Sequence, residues 1–349
     1  MKRSKGIGNC QLPISDFVFP TYNQNLGTQK IRPQVLKSAI DNQKSAMLVE
    51  CVPNFSEGRK PETVEQIARA IRSVRSAVVL DRHIDADHNR SVITFVAEPA
   101  SIVEAAVRAV ATAAALIDLH SHAGEHPRIG ATDVLPFVPV SGVTIDDCIA
   151  LAHEAGSRIW SELSIPVFFY ERAALRPDRA RLENVRRKGF EQLREVIATD
   201  PDRQPDVGEL RVHETAGAIA VGARPFLIAF NVTLRTNDLM IARRIARVVR
   251  ERDGGLPFVK ALGFELRSRG LVQVSMNIID YEQTSIGQAF DAVAAEARRL
   301  GHEVVGAELV GLVPRAALDR NAAYFSRLEN FRESVILENL LENSAALGQ

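Results

Sequence analysis

The chain has 349 residues, 46% of them apolar and 25% charged, and its 43 Lys and Arg side chains balance 43 Asp and Glu. That length exceeds one compact core of ordinary size, so two or more lobes are expected. Zero formal net charge argues against a dedicated nucleic-acid binder, which carries a clear basic excess.

Residues 1–46 are rich in Asn, Gln, Ser and Pro, with scattered apolar positions. They read as a flexible extension, or as sequence upstream of a true start at Met47. After the basic start, Gly6 to Ser15 supply no apolar signal-peptide core, and no stretch approaches the length of a membrane span. The cysteines, Cys10, Cys51 and Cys148, form no CxxC and no even framework. A disulfide scaffold or structural zinc site is therefore not expected, and a reducing, cytoplasmic setting fits.

From Met47 strands and helices alternate. Residues 48–52 read as a strand, and residues 61–74 place Val64, Ile67, Ala68, Ile71 and Val74 at helical spacing. Strands are expected at 77–81 and 91–97, around a hydrophilic loop at 82–90. A long alanine-rich helix at 99–119 precedes a strand at 134–140, a helix at 144–163 and a strand at 167–170. Cys148 and Trp160 fall in that second helix as packing residues. Residues 172–216 form a long polar connection, functional or mobile by its length. Its basic runs, Arg179-Ala180-Arg181 and Arg186-Arg187-Lys188, read as a solvated helix face.

Two strands follow in 218–232, and a second lobe repeats the grammar: helix 238–252, strands 259–266 and 271–278, helix 287–300, strand 304–313. Helices interleaved with hairpin-like strand pairs describe an α+β protein of ferredoxin-like type, not a doubly wound one, and no GxGxxG is present. The lobes are expected at 47–226 and 227–345.

The densest chemistry lies in His120-Ser121-His122-Ala123-Gly124-Glu125-His126-Pro127-Arg128, three of eight histidines within seven residues. His126 is the candidate acid–base group. Gly124 frees the backbone before it, and Pro127 restrains it towards extended conformation. An imidazole with a reference pKa of roughly 6.5 takes and returns a proton near neutral pH. Glu125 or Asp133 would orient it, and Arg128 would bind a substrate carboxylate.

A metal reading competes. Gly124 and Pro127 disfavour the helix that would bring His122 and His126 to one face, and no HExxH occurs, so no metal is expected. The 81–90 region supplies a second set in Asp81, His83, Asp85, Asp87, His88, Asn89 and Arg90, without the ligand series of a calcium loop. A third segment, Gly208-Glu209-Leu210-Arg211-Val212-His213-Glu214-Thr215-Ala216-Gly217, stands at the expected junction of the lobes, where ligand clefts are common. The Ser56-Glu57-Gly58 turn lacks the Walker lysine pattern.

At Val49-Glu50-Cys51-Val52-Pro53-Asn54-Phe55-Ser56-Glu57-Gly58, Gly124-Glu125-His126-Pro127-Arg128 and Gly222-Ala223-Arg224-Pro225-Phe226-Leu227-Ile228-Ala229-Phe230-Asn231, the chain resembles the formiminotransferase domain in its free-standing bacterial form. Gln273-Val274-Ser275-Met276-Asn277 and Leu309-Val310-Gly311-Leu312-Val313-Pro314 extend the match to nearly the whole chain after residue 47. The resemblance implies two α/β subdomains whose sheets face each other across a folate-binding cleft, and a homodimer without nucleic-acid or membrane partners. It implies transfer of the formimino group of N-formimino-L-glutamate to N5 of tetrahydrofolate, the co-substrate, in histidine degradation. Its catalytic histidine falls on His126, and its folate-binding segment on Gly208 to Gly217. The family often has Phe-Gly-Pro where this chain has Val207-Gly208-Glu209. Asp85, Asn89, Arg90 and Arg128 are the candidate substrate-binding residues. The alternatives are a formyl donor, N-formyl-L-glutamate, or a folate-binding protein without turnover. No cyclodeaminase domain follows, so that reaction would belong to another protein or be absent.

Overall fold

The computed structural model describes residues 47–124, 127–329 and 331–346. The expected leader at 1–46, together with Glu125 and His126, lies outside them. Two sheets organise the rest, giving the α+β architecture in two layered lobes.

The first sheet contains β1 (Leu48–Cys51), β2 (Asn54–Phe55), β3 (Val78–Asp85), β4 (Arg90–Ala97), β5 (Thr132–Ser141), β6 (Val167–Glu171) and β7 (Ile219–Ala223). β1 and β2 each pair antiparallel with both β4 and β5, so they are two segments of one strand line. The break falls at Val52-Pro53, where proline has no N–H for the ladder. β3 continues outward from β4, and β7 and β6 add in parallel beyond β5. The hydrophilic loop expected at 82–90 is mostly strand: β3 runs to Asp85 and β4 begins at Arg90, leaving a short turn.

Three helices cover one face. α1 (Pro61–Arg72) starts on a proline, carries Glu62 in its first turn and Arg69 and Arg72 in its last, matching the helix dipole. Its Val64, Ile67, Ala68 and Ile71 are buried; each isoleucine so enclosed contributes about 1.5–3 kcal/mol. α2 (Pro99–Leu116) also opens on proline, and α3 (Ile145–Leu163) opens on a capping box between Thr144 and Asp147. The expectation that no stretch approaches membrane-spanning length is corrected by α2. α2 is 18 residues long with a mean hydropathy of 1.3, long and apolar enough by composition to cross a bilayer. Its length goes instead into the core, where Ile102, Val103, Ala105, Ala106, Val107, Ala109 and Val110 pack against α1, α3 and the sheet.

The connection between β6 and β7 holds α4 (Leu182–Val185) and α5 (Gly189–Val196), which cover part of the opposite face with Val185, Leu193 and Ile197 against Val134, Phe168, Tyr170 and Ala220. The solvated basic face expected there is corrected at two points. Arg179 is 3% exposed and paired with Asp206 at 2.6 Å, and Arg186 is paired with the buried Asp133 at 3.0 Å.

The second sheet runs β11-β8-β10-β9, all neighbours antiparallel, from β8 (Ile228–Leu234), β9 (Val259–Leu266), β10 (Leu271–Ile278) and β11 (Val304–Val310). Helices α6 (Leu239–Val249) and α7 (Ile286–Arg299) cover its apolar face, capped by Asp238 and by a Ser285/Gln288 box. A terminal helix, α8 (Leu337–Ala346), follows. The lobes touch where Ser268 donates to Asp87 through Oγ at 2.6 Å and where Lys260 meets Glu171 at 3.1 Å and Glu183 at 3.4 Å.

β9 approaches α6 so closely that a Cβ on Gly263 would stand 2.5 Å from the Arg243 amide nitrogen. Gly263→Ala therefore forces two backbones apart, and a loss of about 1–3 kcal/mol is expected in urea unfolding. A midpoint equal to the parent's would contradict that packing.

Candidate functional site

One end of the first sheet gathers every segment that carried chemistry in the sequence. The turn after β2, the β3–β4 turn, the loop from α2 to β5 and the approach to β7 all meet there, and the β9–β10 turn of the second lobe joins them. Ser56 N donates to Ala131 O at 2.8 Å, and Gly130 bridges Gly217. A side chain at Gly58 would place its Cβ 2.0 Å from Asp85 O, so only glycine lets these two turns close.

Asn89 is the knot between turns. It sits in the left-handed region at φ +48°, its Oδ1 accepts from Gly58 N at 2.9 Å, and its Nδ2 donates to Ala123 O at 3.0 Å. Asp85 holds the same turn by accepting from His88 N at 2.9 Å and from His88 Nδ1 at 2.7 Å. Burial works to raise the Asp85 carboxyl, but the His88 hydrogen bonds and charge outweigh it and leave the carboxyl below its ordinary value.

Arg90 is directed inward. It binds Asp133 at 2.9 Å and Asn54 Oδ1 at 3.1 Å, and burial lowers its pKa. Asp133 is fully enclosed. It also takes Arg186 at 3.0 Å and, through Oδ1, the Ile129 amide at 2.9 Å. Of the four candidate substrate residues, Asp85, Asn89 and Arg90 thus make internal contacts that build the site, while Arg128 borders an open cleft.

That cleft has a volume of about 460 Å³. The His122-Ala123-Gly124 segment forms one wall, with Arg59, Arg128 and Arg267 around it and Asp87 and Glu191 beside them. Arg59 donates to Ala86 O at 3.2 Å; Arg128 donates to Glu191 at 2.9 and 3.3 Å and to His122 O at 3.1 Å. Sequence reasoning missed Arg59, Arg267, Arg186 and Glu191. Nothing in their local sequence sets them apart, because each arrives from a different element.

The two described histidines of the cluster are clamps. His122 Nε2 faces Asn89 O at 3.0 Å and His120 Nε2 faces Glu214 O at 2.8 Å; a carbonyl only accepts, so each Nε2 carries the hydrogen. Arg194 donates to the other nitrogen of His120 at 3.4 Å, leaving both nitrogens of His120 engaged. His122 Nδ1 is buried with no hydrogen-bond partner, and burial followed by the Arg128 charge lowers its pKa, so it is a neutral acceptor near pH 7. His126 and Glu125 lie outside the described residues.

The Gly208 to Gly217 segment has its contacts with the first lobe. Gly208 packs against Trp160 and Pro166, Glu209 pairs with Arg211 at 2.8 Å, and Val212 joins the apolar cluster under β5–β7. His213 and Gly217 exchange backbone hydrogen bonds at 2.8 and 3.0 Å, His213 Nδ1 accepts from Ala216 N at 3.1 Å, and Thr215 O accepts from Leu119 N at 3.0 Å. Leu210 is exposed, and Glu214 holds His120 through its carbonyl. The segment therefore braces the far side of the histidine loop.

Away from the helices both sheets bury polar groups. Glu50 lies between the core residues Val49 and Cys51 and so points to the opposite face; it is 3% exposed, and burial pushes its carboxyl up to about 7 against the opposing pull of Arg224. Asn231, Thr233 and Gln273 alternate with core residues of β8 and β10 in the same way. Asn231 donates to Glu308 at 3.3 Å, and His83 Nε2 lies 3.9 Å from Glu308.

Residues 48–224 match the family model described as the formiminotransferase domain, N-terminal subdomain, and residues 229–341 match that of the formiminotransferase domain. The chain is 47% identical over 300 residues to a protein of Thermoplasma acidophilum named glutamate formimidoyltransferase, covering 85% of this chain and 98% of the relative. It is 43% identical over 297 residues to a protein of the same name from Streptococcus pyogenes serotype M1, covering 85% and 99%. Formimidoyltransferase-cyclodeaminase of Mus musculus is 42% identical over 286 residues, 80% of this chain and 52% of the relative.

Two outcomes test the electrostatics. Glu50 has a folded pKa near 7 against an unfolded 4.5, so its contribution is present at low pH and lost as pH rises from 4.5 to 7. Glu50→Gln should accordingly gain stability relative to the parent across that window, by about 3 kcal/mol at pH 7. A pH-independent difference in chemical denaturation speaks against a buried carboxyl. Asp133→Ala leaves two guanidiniums facing each other and should cost about 3–5 kcal/mol; a loss below about 1 kcal/mol in the same assay removes Asp133 from its central place.

Proposed function

The chain belongs to the formiminotransferase family, and from that premise we propose that it transfers the formimino group of N-formimino-L-glutamate to N5 of tetrahydrofolate, within histidine degradation. The observation that carries the reading is the ring of three guanidiniums, Arg59 and Arg128 from the first lobe and Arg267 from the second, around the cleft beside Gly124. A dianionic donor such as a glutamate derivative needs cationic groups at more than one point, and guanidinium forks match carboxylates in charge and geometry.

In this reading tetrahydrofolate lies between the two sheets, against the polar face of the second and the part of the first that α4 and α5 leave uncovered. The buried Glu50, Asn231, Thr233 and Gln273 support this, as do the contacts of Ser268 with Asp87 and of Phe264 with the His88 ring, 4.9 Å apart. The β8–α6–β9–β10–α7–β11 order, with neighbours β11-β8-β10-β9, supports a ferredoxin-like reading of the second lobe.

The chemistry needs one proton carrier. N5 attacks the amidine carbon, a tetrahedral intermediate forms, and the bond from that carbon to the glutamate nitrogen breaks. His126 takes the proton released from N5 and returns it to the departing nitrogen, giving free glutamate and the N5-formimino product. Gly124 on the cleft wall and Pro127, whose carbonyl accepts from Arg186 at 3.5 Å, tether the chain on either side.

Purified protein with tetrahydrofolate should consume N-formimino-L-glutamate well ahead of N-formyl-L-glutamate, and the reverse order sinks the assignment. His126→Ala is expected to lose about 10²–10⁴-fold in kcat with its thermal midpoint retained. Arg267→Ala should raise KM for the glutamate donor about 10-fold or more with a smaller change in kcat, as loss of a charged hydrogen bond does. A KM equal to the parent's places the donor elsewhere.

A further inference from the structure

The connection between β6 and β7 holds a second cluster of positive charge, separate from the reaction cleft. Arg187, Lys188 and Arg203 line a cavity of about 240 Å³ together with Gln192 and Asp200. Arg203 is only 4% exposed. Its Nη1 donates to the carbonyls of Asn184 at 3.0 Å and Val185 at 3.1 Å, while Nε and Nη2 have no acceptor. Among the described residues none of the three cations forms an ion pair. The lining carboxylate, Asp200, accepts from the Asp202 amide at 3.0 Å.

The contrast with Arg179 is informative. That residue is equally buried and lies in the same connection, but its charge is matched by Asp206 at 2.6 Å. A buried guanidinium without a direct ion pair is costly, and the fold tolerates it here beside two further cations and one carboxylate, Asp200. Burial and then the neighbouring Arg187 act to lower the Arg203 pKa, and the lining Asp200 offsets them only in part. Three cations face one carboxylate, which leaves the cavity with an excess of positive charge. The cavity is smaller than the roughly 300–1,000 Å³ of pockets that enclose whole ligands, so it suits a single oxyanionic group.

Its position gives the site a second property. α5 contributes Gln192 and Val196 to the cavity, while its Glu191 holds Arg128 and its Arg194 holds His120. Arg186, next to the cavity residue Arg187, holds Asp133 and Pro127 O. One helix therefore separates the cationic cavity from the groups that position the histidine loop.

We propose that Arg187, Lys188 and Arg203 form a binding site for a small oxyanion, phosphate or carboxylate, and that its occupancy fixes α5 against the Arg128–Asp133 side of the reaction cleft. The test titrates the full chain with inorganic phosphate, and separately with acetate, at ionic strength held constant with chloride. Binding is read by the thermal midpoint and by hydrogen exchange. Arg187→Ala/Lys188→Ala, at two exposed positions, is the primary variant; Arg203→Gln is the second, and Arg267→Ala controls for anions entering the reaction cleft. The expected result is a saturable rise in midpoint with slower exchange over residues 186–196 and 127–133. Affinity should fall 10-fold or more in the double variant and in Arg203→Gln, and persist in Arg267→Ala. A response to phosphate alone assigns a phosphate group, and a response to acetate alone assigns a carboxylate. A rise that chloride reproduces, or one that the double variant retains, overturns the site. Binding without added protection at residues 127–133 overturns the coupling.

Discussion

A single buried carboxylate sets the geometry on which the rest depends. Asp133, on the second residue of β5, is closed to solvent and holds Arg90 from the start of β4, Arg186 from the segment before α5, and the Ile129 amide of the histidine loop. A buried ion pair of this kind adds little net stability over an apolar replacement, but losing one partner strands the others. Its value lies in position. Three chain segments that share no local sequence are pinned to one atom group, beside the cleft that Arg128 and Glu191 border.

The histidine loop is held by a complementary device. His120 and His122 donate through Nε2 to backbone carbonyls contributed by Glu214 and Asn89, which fixes one tautomer for each ring and two points along the loop. Asn89 accepts a backbone N–H and donates to a backbone carbonyl with its side-chain amide, so the turn it belongs to is locked to both neighbours. Groups that bind or react gain from supports that are themselves locked.

Much of the fold was legible because burial on one face imposes a period on the chain. The helix of Val64, Ile67, Ala68 and Ile71 and the alternation of β8 and β10 could be read directly, and so could the α+β grammar of each lobe. What could not be read was which partner a polar side chain would choose. Arg186 and Asp133 are 53 positions apart, and in the sequence Arg186 is one of three consecutive cations, indistinguishable from Arg187. Asp85, Asn89 and Arg90 carried the right chemistry for a ligand, but the sequence did not show that Asp85 and Asn89 also hold the turns together or that Arg90 pairs with Asp133. The Gly208 to Gly217 segment stood out as a ligand-binding stretch at the junction of the lobes, but the sequence did not show that its backbone braces Leu119 and His120. Arg128 was found from its neighbours in sequence; Arg59 and Arg267 had no such neighbours.

The β9–β10 turn has a consequence for the order in which this protein comes into being. Ser268 grips Asp87 across 181 positions, and Arg267 beside it completes the cationic ring. When the ribosome has delivered the chain to the end of β7 at Ala223, the histidine loop and its braces have all been synthesised, but the ring stands one guanidinium short. The reaction cleft is thus finished only when the later lobe has been made and docked. A nascent or truncated chain that ends at β7 has the histidine loop but one guanidinium fewer at the cleft.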